Sequence, residues 1–523
     1  MSTSPTDSST VELREPATPP NPSPSPSLPV LRELFSQLNT AGIGYCHWKS
    51  NEHLDASMTG ATDVDVLFDR RDAQRLTRLL TETTSFKRFV VKAGRGYPGI
   101  EDYVGFDPET GKLTHVHVHY QLTLGEKFLK GHRLPWEDLY LSTRVFDATH
   151  GMYVADPHLE LVVLIVRAVM KLRARDYLLE ALGKSYFSGG MLRELRWLVA
   201  RVDHARLLEV GARLVGQRAA QLLPTMLAGK RPSVGQLRAF GRRADPQLHE
   251  YRLYGPADAV RQMTKREWSI IWWKLSNWYR GAATKSTRTL PQGGLFIAFL
   301  GADGAGKSTM TAAIADWLSR EVAVVTTYGG SGKGSASLPR RLLQRFAAVR
   351  RWVVRPPARP SSQLPSSERA RTGLRALARV FSIMALTNER RKRASQARRA
   401  RGRGMIVLSD RLPQRQFPSL NDGPRLSSWL EGPAGLRRTV ARREQAAFQL
   451  TELTPPDLVV KLNVSTGVAT QRKPETPPEQ LRNGLDLLRQ LRFPPTTKVL
   501  EVNADLPFAQ VLRQVKQAVW EAI

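Results

Sequence analysis

A glycine-rich segment between an apolar run and a helical pattern constrains this chain more than any other feature. Residues 296–300 read FIAFL, residues 301–308 read GADGAGKS, and helical spacing follows. This matches the pattern G-x-x-x-x-G-K-[S/T] in the strand–loop–helix context that the pattern requires. The segment therefore predicts a phosphate-binding loop, and with it a site for a nucleoside triphosphate.

The spacing inside the loop suits triphosphate chemistry. Glycines let backbone N–H groups point at phosphate oxygens, and the N-terminus of the following helix adds partial positive charge. We expect Lys307 to reach the β- and γ-phosphates of ATP and the Ser308 hydroxyl to bind Mg²⁺. The residues predicted to line the nucleotide are Gly301, Asp303, Gly304, Ala305, Gly306, Lys307, Ser308 and Thr309.

A second apolar run, residues 405–408, leads into Ser409 and the pair Asp410-Arg411. The carboxyl ends of parallel strands meet at one crevice, so this pair is expected beside the loop. Asp410 can bind Mg²⁺ through water or orient the acceptor oxygen, and Arg411 can neutralise a transferring phosphoryl group. Alternating strands and helices indicate a parallel sheet with right-handed crossovers. The other elements predicted in this half are strands at 322–328, 455–464 and 497–502 and a final helix at 506–523.

Five stretches in residues 294–523 are similar to those of thymidylate kinases: GADGAGKST, IVLSDR, PDLVVKLNV, a basic lid beginning at Arg472, and VLEVNADLPFAQVLRQV. The resemblance implies a P-loop NTPase domain of the nucleoside monophosphate kinase type. It also implies that Asp303 contacts the acceptor sugar, Asp410-Arg411 the acceptor phosphate, and Arg472 the transferring group. Residues 328–333 and 412–417 depart from the family's base-reading stretches, which leaves the acceptor open.

Residues 62–68 (TDVDVLF) alternate acidic and apolar side chains, which places Asp63 and Asp65 on one face of a predicted strand. Two such carboxylates can hold divalent metal against a triphosphate. Residues 47–69 resemble the nucleotidyltransferase superfamily, which implies an α+β nucleotidyltransferase-like domain. Lys49-Ser50 stands where that family has Gly-Ser, and the third carboxylate expected on a later strand is not apparent in the candidate for that strand, residues 114–120. Active transfer and a fold kept for structure or binding both stay open.

Three histidines, His115, His117 and His119, alternate on that candidate strand, residues 114–120. They share one face, so a metal site is conceivable. Three imidazoles in a row on one strand cannot all reach one ion unless other elements turn inward. We interpret them as polar outer positions of a half-buried strand.

A tryptophan-rich helix is predicted at 261–280, with Trp268, Trp272, Leu275 and Tyr279 on one face and basic residues at its flanks. An apolar helical stripe is core by default, so the helix is predicted to pack the two halves of the chain together. The alternative is a helix seated at a membrane interface.

The charge of the chain is strongly basic and unevenly spread. Its 523 residues include 78 Lys plus Arg and 47 Asp plus Glu, a net charge of +31. Residues 340–403 contain 19 basic and two acidic residues, and such a field favours an anionic partner. Candidate anionic partners are a nucleotide or sugar-containing phosphate acceptor, nucleic acid, and an acidic membrane surface. The sequence also leaves open whether the chain forms a homodimer.

The single cysteine excludes an intrachain disulfide and a multi-cysteine metal site. Without an apolar stretch of about 20 residues or an N-terminal apolar region, the cytoplasm is the expected location. The predicted organisation is a disordered tail at 1–28, a nucleotidyltransferase-like domain at 29–155, a helical extension at 156–240, a Trp-rich helix and linker at 241–293, and a thymidylate kinase-like P-loop domain at 294–523.

The leading hypothesis is an ATP- and Mg²⁺-dependent phosphotransferase. Its acceptor would be a nucleoside monophosphate or a sugar-containing compound. The two-domain architecture resembles bacterial proteins linked to surface polysaccharide synthesis. Two alternatives are a nucleic-acid-binding or end-processing protein that uses residues 340–403, and a regulatory ATP-binding partner at the membrane.

Overall fold

A computed structural model describes ten stretches of the chain: residues 27–91, 96–125, 129–183, 186–187, 189–229, 231–279, 288–330, 366–418, 422–431 and 435–523. The fold is mixed α/β, with one mainly antiparallel sheet, one parallel sheet and many helices. Within those stretches, no helix has both the length and the hydropathy needed to cross a membrane.

Fifteen strands occur in the described stretches. They are β1 (Tyr45–His47), β2 (Val64–Phe68), β3 (Phe86–Val91), β4 (Ile100–Asp107), β5 (Lys112–His119), β6 (Leu122–Leu124), β7 (His132–Leu134), β8 (Val145–Asp147), β9 (Met152–Val154), β10 (Arg288–Thr289), β11 (Phe296–Gly301), β12 (Val324–Tyr328), β13 (Ile406–Asp410), β14 (Leu458–Asn463) and β15 (Lys498–Asn503).

The helices of the first half are α1 (Pro29–Thr40), α2 (Leu54–Met58), α3 (Ala73–Arg78), α4 (Glu137–Thr143), α5 (Pro157–Lys171), α6 (Ala174–Ala181), α7 (Gly189–Val199), α8 (His204–Val215), α9 (Gln217–Ala220), α10 (Leu223–Leu227), α11 (Val234–Glu250) and α12 (Pro256–Tyr279). Those of the second half are α13 (Lys307–Ser319), α14 (Ser366–Gly402), α15 (Leu436–Glu452), α16 (Thr466–Arg472), α17 (Pro478–Gln490) and α18 (Phe508–Ala522).

The first sheet has the order β10-β3-β4-β5-β2-β1-β9-β8, and only the β2–β5 and β1–β9 pairs are parallel. Its central hairpin, β4–β5, turns at residues 107–111. Asp107 Oδ2 accepts from the Thr110 backbone N–H at 3.0 Å, and Gly111 takes a φ of 68° that suits glycine. This turn fixes which residues of β4 and β5 face each other.

The second sheet is wholly parallel, in the order β12-β13-β11-β14-β15. Its central strand, β11, is buried along most of its length, as expected of a parallel strand covered on both faces. The register pairs Phe299 of β11 with Asp410 at the end of β13. The parallel α/β sheet predicted from the sequence is therefore confirmed, and the residues after β11 and β13 lie at one edge.

The two halves share apolar packing. One cluster of buried residues joins Phe89, Val104 and Phe106 of the first sheet to α13 and the parallel sheet, and the rings of Phe106 and Trp317 lie 5.5 Å apart. Strand β10 pairs with β3, while the Arg288 carbonyl accepts from Ala323 N–H of the second half at 2.8 Å. Residues 281–293 are assigned to a linker from the sequence, yet Arg288–Thr289 forms a strand because it completes the edge of the first sheet.

The prediction that the tryptophan-rich helix packs the two halves together is wrong. Trp268 and Trp272 of α12 are 66% and 74% exposed, and Ile271 and Leu275 are exposed as well. The shared cluster and β10 join the halves instead, which leaves this face of α12 uncovered by the described residues.

The predicted tail and the predicted basic segment lie partly outside the described residues. Of the tail predicted at 1–28, residues 1–26 lie outside the described residues, while Leu28 is buried and donates its N–H to the Met58 carbonyl at 2.8 Å. In the basic segment 340–403, residues 340–365 and the side chains of Arg371, Arg375 and Arg379 also lie outside them. The cationic stripe predicted there stays a prediction.

Candidate active site

The loop between β11 and α13 has the backbone shape that phosphate binding needs. Gly304 and Gly306 have φ values of 88° and 86°, and Gly306 is the N-cap of α13. A Cβ on Gly304 would lie 2.8 Å from the Ala469 carbonyl oxygen of α16. Glycine is therefore required both by the turn and by the approach of α16 to the loop.

Lys307 is buried at the start of α13, and its Nζ donates to the carbonyls of Gly301 and Ala302 at 2.9 and 2.8 Å. Burial, with a contribution from Arg411, lowers the pKa of this ammonium group from 10.5 to about 8. Phosphate oxygens in the loop would take the place of these carbonyls and favour the charged form.

Ser308 and Asp410 meet as predicted for a shared metal site. Ser308 Oγ donates to Asp410 Oδ2 at 2.5 Å. Within the described part of the chain, the other oxygen of this buried carboxylate, Oδ1, has no hydrogen-bond partner. A buried, unpaired carboxylate oxygen beside a hydroxyl fits a hard divalent cation such as Mg²⁺.

Arg411 follows in the left-handed region, with a φ of 75°, which turns its side chain toward the loop. Its guanidinium donates to Asp303 Oδ1 at 2.7 Å and to Asp422 Oδ2 at 3.4 Å. Burial would lower the pKa of Arg411, but these two carboxylates outweigh it and raise the pKa. Burial would raise the pKa of the Asp303 carboxyl group, but the positive charges of Arg411 and Lys307 outweigh burial. The pKa of Asp303 is therefore lowered.

Arg472 ends α16, is exposed, and donates to the Ala504 carbonyl at 3.2 Å. In the described stretches, no hydrogen bond or ion pair joins it to Lys307, Asp410 or Arg411. Its neighbour Lys473 helps to lower the pKa of Asp303, so the basic end of α16 acts on the loop through that residue. The structure thus brings together the predicted residues of the loop and Asp410-Arg411, and leaves Arg472 at their edge.

A second group of polar residues lies on the first sheet. Its register aligns Asp65 of β2 with His117 of β5, and His117 with Asp102 of β4. Asp63 Oδ1 lies 3.0 Å from His115 Nδ1. Asp63 and Asp65 are therefore both on the histidine-bearing face, as the alternation predicts.

The interpretation of the three histidines as polar outer positions is wrong. The side chains of His115 and His119 are 1% and 0% exposed. Arg288 covers His115 and donates to its Nδ1 at 2.9 Å, and the ring of Trp48 packs on His119 at 5.3 Å. Elements from elsewhere in the chain do turn inward over this face.

A third carboxylate, Asp102 on the neighbouring strand β4, also lies against these histidines. Its Oδ1 lies 2.9 Å from His115 Nε2 and 3.1 Å from Arg288 Nε. Burial would raise the pKa of Asp102, but His115 and His117 lower it strongly. A sequence signal for this pairing exists: if the turn at residues 107–111 is recognised, Asp107 lies opposite Lys112, and five residues further along each strand Asp102 lies opposite His117. Asp422, which binds Arg411, had no comparable sequence signal.

Comparison with known proteins gives alignments that cover less than half of this chain. The sequence matches no protein-family model. Over 244 residues it is 28% identical to the "Uncharacterized ATP-binding protein YghR" of Escherichia coli strain K12, an alignment covering 45% of this chain and 92% of that protein.

Two solved structures are also similar to part of the chain, each at 14% identity. A deoxyadenosine kinase from M. mycoides with bound dATP gives a TM-score of 0.24 over 43% of this chain and 99% of the kinase. A thymidylate kinase from Candida albicans gives 0.25 over 44% and 90%. With such low scores, neither structure informs the choice of acceptor.

Proposed function

We propose that residues 294–523 transfer the γ-phosphoryl group of ATP to a small acceptor, with Mg²⁺ at Ser308 and Asp410. One observation carries the proposal: the buried Asp410 carboxylate meets the Ser308 hydroxyl at 2.5 Å at the end of a glycine loop whose first helical residue is Lys307. The ATP-binding description of the relative YghR supports the nucleotide part.

In the proposed reaction an acceptor oxygen forms a bond to the γ-phosphorus. The bond from that phosphorus to the β–γ bridging oxygen breaks, ADP leaves, and the acceptor proton passes to solvent or to a nearby carboxylate. Lys307 and Arg411 would hold the equatorial oxygens and stabilise their charge, and the lid side chain Arg472 would approach from α16. Bound Mg²⁺ would neutralise the β- and γ-phosphate oxygens.

The acceptor is proposed to be a nucleoside monophosphate or a sugar-containing compound. Asp303 and Asp422 hold the Arg411 guanidinium from two sides. An acceptor that carries both hydroxyl and phosphate groups could replace either contact, with its hydroxyl on a carboxylate and its phosphate on the guanidinium. A role in polysaccharide synthesis would require the sugar-containing class.

The test uses the full chain, γ-labelled ATP and a panel of nucleoside monophosphates and sugars. We expect label on one acceptor class, and Lys307→Ala to reduce turnover at least about 100-fold because it removes charge from the transition state. Lys498→Ala, which removes an exposed lysine of β15, is the matched control and should turn over normally. Label on no acceptor, or full turnover by the Lys307 variant, would refute the proposal.

A second proposal concerns α12. We infer that its exposed face rests on an anionic lipid surface. Arg261 and Lys265 are exposed one helical turn apart, and Trp268, Trp272 and Leu275 continue the same face. Tryptophans placed beside cations suit a helix lying in the headgroup region of an acidic bilayer.

Flotation with vesicles of phosphatidylserine and phosphatidylcholine tests this inference. We expect wild-type protein to float with mixed vesicles, and to float less at high salt. The double variant Trp268→Ser/Trp272→Ser should partition into vesicles at least about tenfold less, because it lacks the two rings that would be buried in the headgroup region. Phe381→Ser removes another exposed aromatic ring and should float as wild type does. Equal flotation of the tryptophan variant would reject the lipid surface.

A further inference from the structure

Three side-chain atoms on the first sheet converge as ligands of one ion would. Asp65 Oδ1 lies 3.4 Å from His117 Nδ1 and 3.2 Å from His119 Nε2. The three ligand atoms all lie within 4.8 Å of one another. Two ligands bound at about 2.1 Å to one ion in tetrahedral or octahedral geometry are about 3.0–3.4 Å apart. Both separations from Asp65 fall in that range.

Secondary structure holds this geometry. His117 and His119 are two residues apart on β5, and Asp65 stands opposite His117 on the parallel strand β2. Ligands on two adjacent paired strands are positioned by the backbone ladder rather than by a loop, so little rearrangement is needed to collect them.

The other nitrogen of His117 has the partner that a metal-binding imidazole usually has. His117 Nε2 lies 3.2 Å from Asp102 Oδ1, and Asp102 in turn accepts from Arg288 Nε at 3.1 Å. A carboxylate on the far nitrogen fixes the tautomer and directs the near nitrogen at the ion. Asp102 would therefore orient the ligand without binding the metal itself.

His119 presents one ring nitrogen to the same carboxylate. Its ring is fully buried, and among the described residues its Nδ1 has no hydrogen-bond partner while its Nε2 faces Asp65. Within the described stretches, His119 thus differs from His117 in having no carboxylate that orients it, and the Trp48 ring, 5.3 Å away, packs against it instead. A metal ion between Nε2 and the Asp65 carboxylate would replace the contact that these two groups make at 3.2 Å.

Lys49 competes for the same carboxylate. Its Nζ lies 3.1 Å from Asp65 Oδ1, and both side chains are partly exposed. The ammonium is on a flexible stem and can leave toward solvent. It neutralises Asp65 in the metal-free protein and would be displaced by a bound cation.

We propose that Asp65, His117 and His119 form a binding site for one divalent first-row transition-metal ion, with Asp102 as the orienting carboxylate. Two imidazoles and one carboxylate suit Zn²⁺, Fe²⁺ or Mn²⁺ better than Mg²⁺, which prefers oxygen ligands. Three protein ligands leave coordination positions open on the solvent side, where Asp65 and His117 are 18% and 26% exposed. The site is separate from that of the proposed kinase.

Metal titration of the nucleotide-free full chain tests the site. After treatment with a chelator, Co²⁺ and Zn²⁺ are added in turn, with stoichiometry read by elemental analysis and ligand number by the visible bands of Co²⁺. We expect one ion per chain. Asp102→Asn, which alters the carboxylate that orients His117, should weaken metal affinity roughly 10–100-fold. His119→Ala, which removes a proposed ligand, should weaken metal affinity by more than that.

Two further variants make the result decisive. Lys49→Met should tighten metal binding several-fold because it removes the competing cation. This variant keeps all three proposed ligands, so it tests the site even if His119→Ala fails to fold. His150→Gln alters another histidine held between two carboxylates, Asp55 and Asp147, and should leave metal affinity unchanged. The proposal is overturned if less than one ion binds, if His119→Ala binds as wild type does, or if Lys49→Met weakens binding.

Discussion

Gly304, in the loop between β11 and α13, occupies a conformation that residues with a side chain rarely adopt. Its φ is 88°, and an added Cβ would approach the Ala469 carbonyl of α16 to 2.8 Å. Both restrictions act on the same few loop residues that would hold phosphate.

We therefore expect Gly304→Ala to weaken ATP binding at least about tenfold, because the loop must shift to relieve a strain of order 1 kcal/mol or more. Gly467→Ala, on α16, adds a Cβ that meets nothing within 4 Å and is the matched control. Calorimetric titration with ATP and Mg²⁺ measures both. Unchanged affinity in the Gly304 variant would mean that the loop is not constrained as described.

Glu160 of α5 is a buried carboxylate outside both candidate sites. It accepts from the backbone and side-chain N–H groups of Asn51 at 2.9 and 2.7 Å. Burial, reinforced by nearby Glu194, raises its pKa from 4.5 to about 7 despite those donors. Between these two pH values the folded state binds more protons than the unfolded state.

The contribution of Glu160 to stability should consequently be fully present below pH 4.5, and should be lost as pH rises from 4.5 through about 7, by a few kcal/mol in all. Glu160→Gln should flatten that slope. Thermal unfolding midpoints from pH 5 to 8 measure it, with exposed Glu33→Gln as the control. A slope that persists in the Glu160 variant would assign it to other groups.

At the scale of elements, the two-residue strand β10 joins the two halves through side-chain ion pairs as well as through backbone hydrogen bonds. Arg288 donates to Asp102 of the first sheet and, through Nη1, to Glu321 beyond α13 at 2.6 Å. Both carboxylates are largely buried, so the guanidinium compensates one charge in each half of the chain.

Arg288→Met should lower the unfolding midpoint by the equivalent of about 3–5 kcal/mol, because it leaves buried carboxylates without their cation. Adding Glu321→Gln should recover part of that loss, since one uncompensated charge disappears. Arg320→Met removes an exposed partner of Asp316 and should cost less than about 1 kcal/mol. If the double variant is no more stable than Arg288→Met, the ion pair is not the cause.

At the scale of the whole molecule, the shared apolar cluster couples the stability of the two halves, because side chains from both halves are buried in it. Phe106 of β4 packs against both Trp317 of α13 and Trp520 of α18. Helix α13 begins at Lys307, so the helix that carries the lysine proposed to bind nucleotide also carries a core contact with the first sheet.

ATP with Mg²⁺ should therefore slow amide hydrogen exchange in β4 and β5 as well as in the loop, because stabilising α13 stabilises its partners. Phe106→Ala should abolish the effect on β4 and β5 and cost about 3–5 kcal/mol. Phe68→Ala, in the separate core of the first sheet, should retain the coupling. Exchange unchanged by ATP in wild-type β4 and β5 would show that the halves are independent.

The parallel sheet and most of the geometry of the candidate nucleotide site could be predicted from the sequence because their determinants are local. The loop from Gly301 to Ser308 is contiguous, and the apolar run before Asp410 identifies its strand. Since carboxyl ends of parallel strands converge, the meeting of Ser308 with Asp410 followed from strand order alone. The acceptor and the catalytic roles stay predictions, because they depend on groups that no local pattern specifies.

What covers each surface was decided only by the tertiary structure. Helical spacing showed that Trp268 and Trp272 share a face, but not whether another element packs there. Alternation likewise placed His115, His117 and His119 on one face, but Asp102 and Arg288 reach it from distant positions in the chain. Periodicity along one segment determines which side chains point together, whereas their partners depend on non-local strand pairing, and this is why the histidine cluster emerged only from the fold.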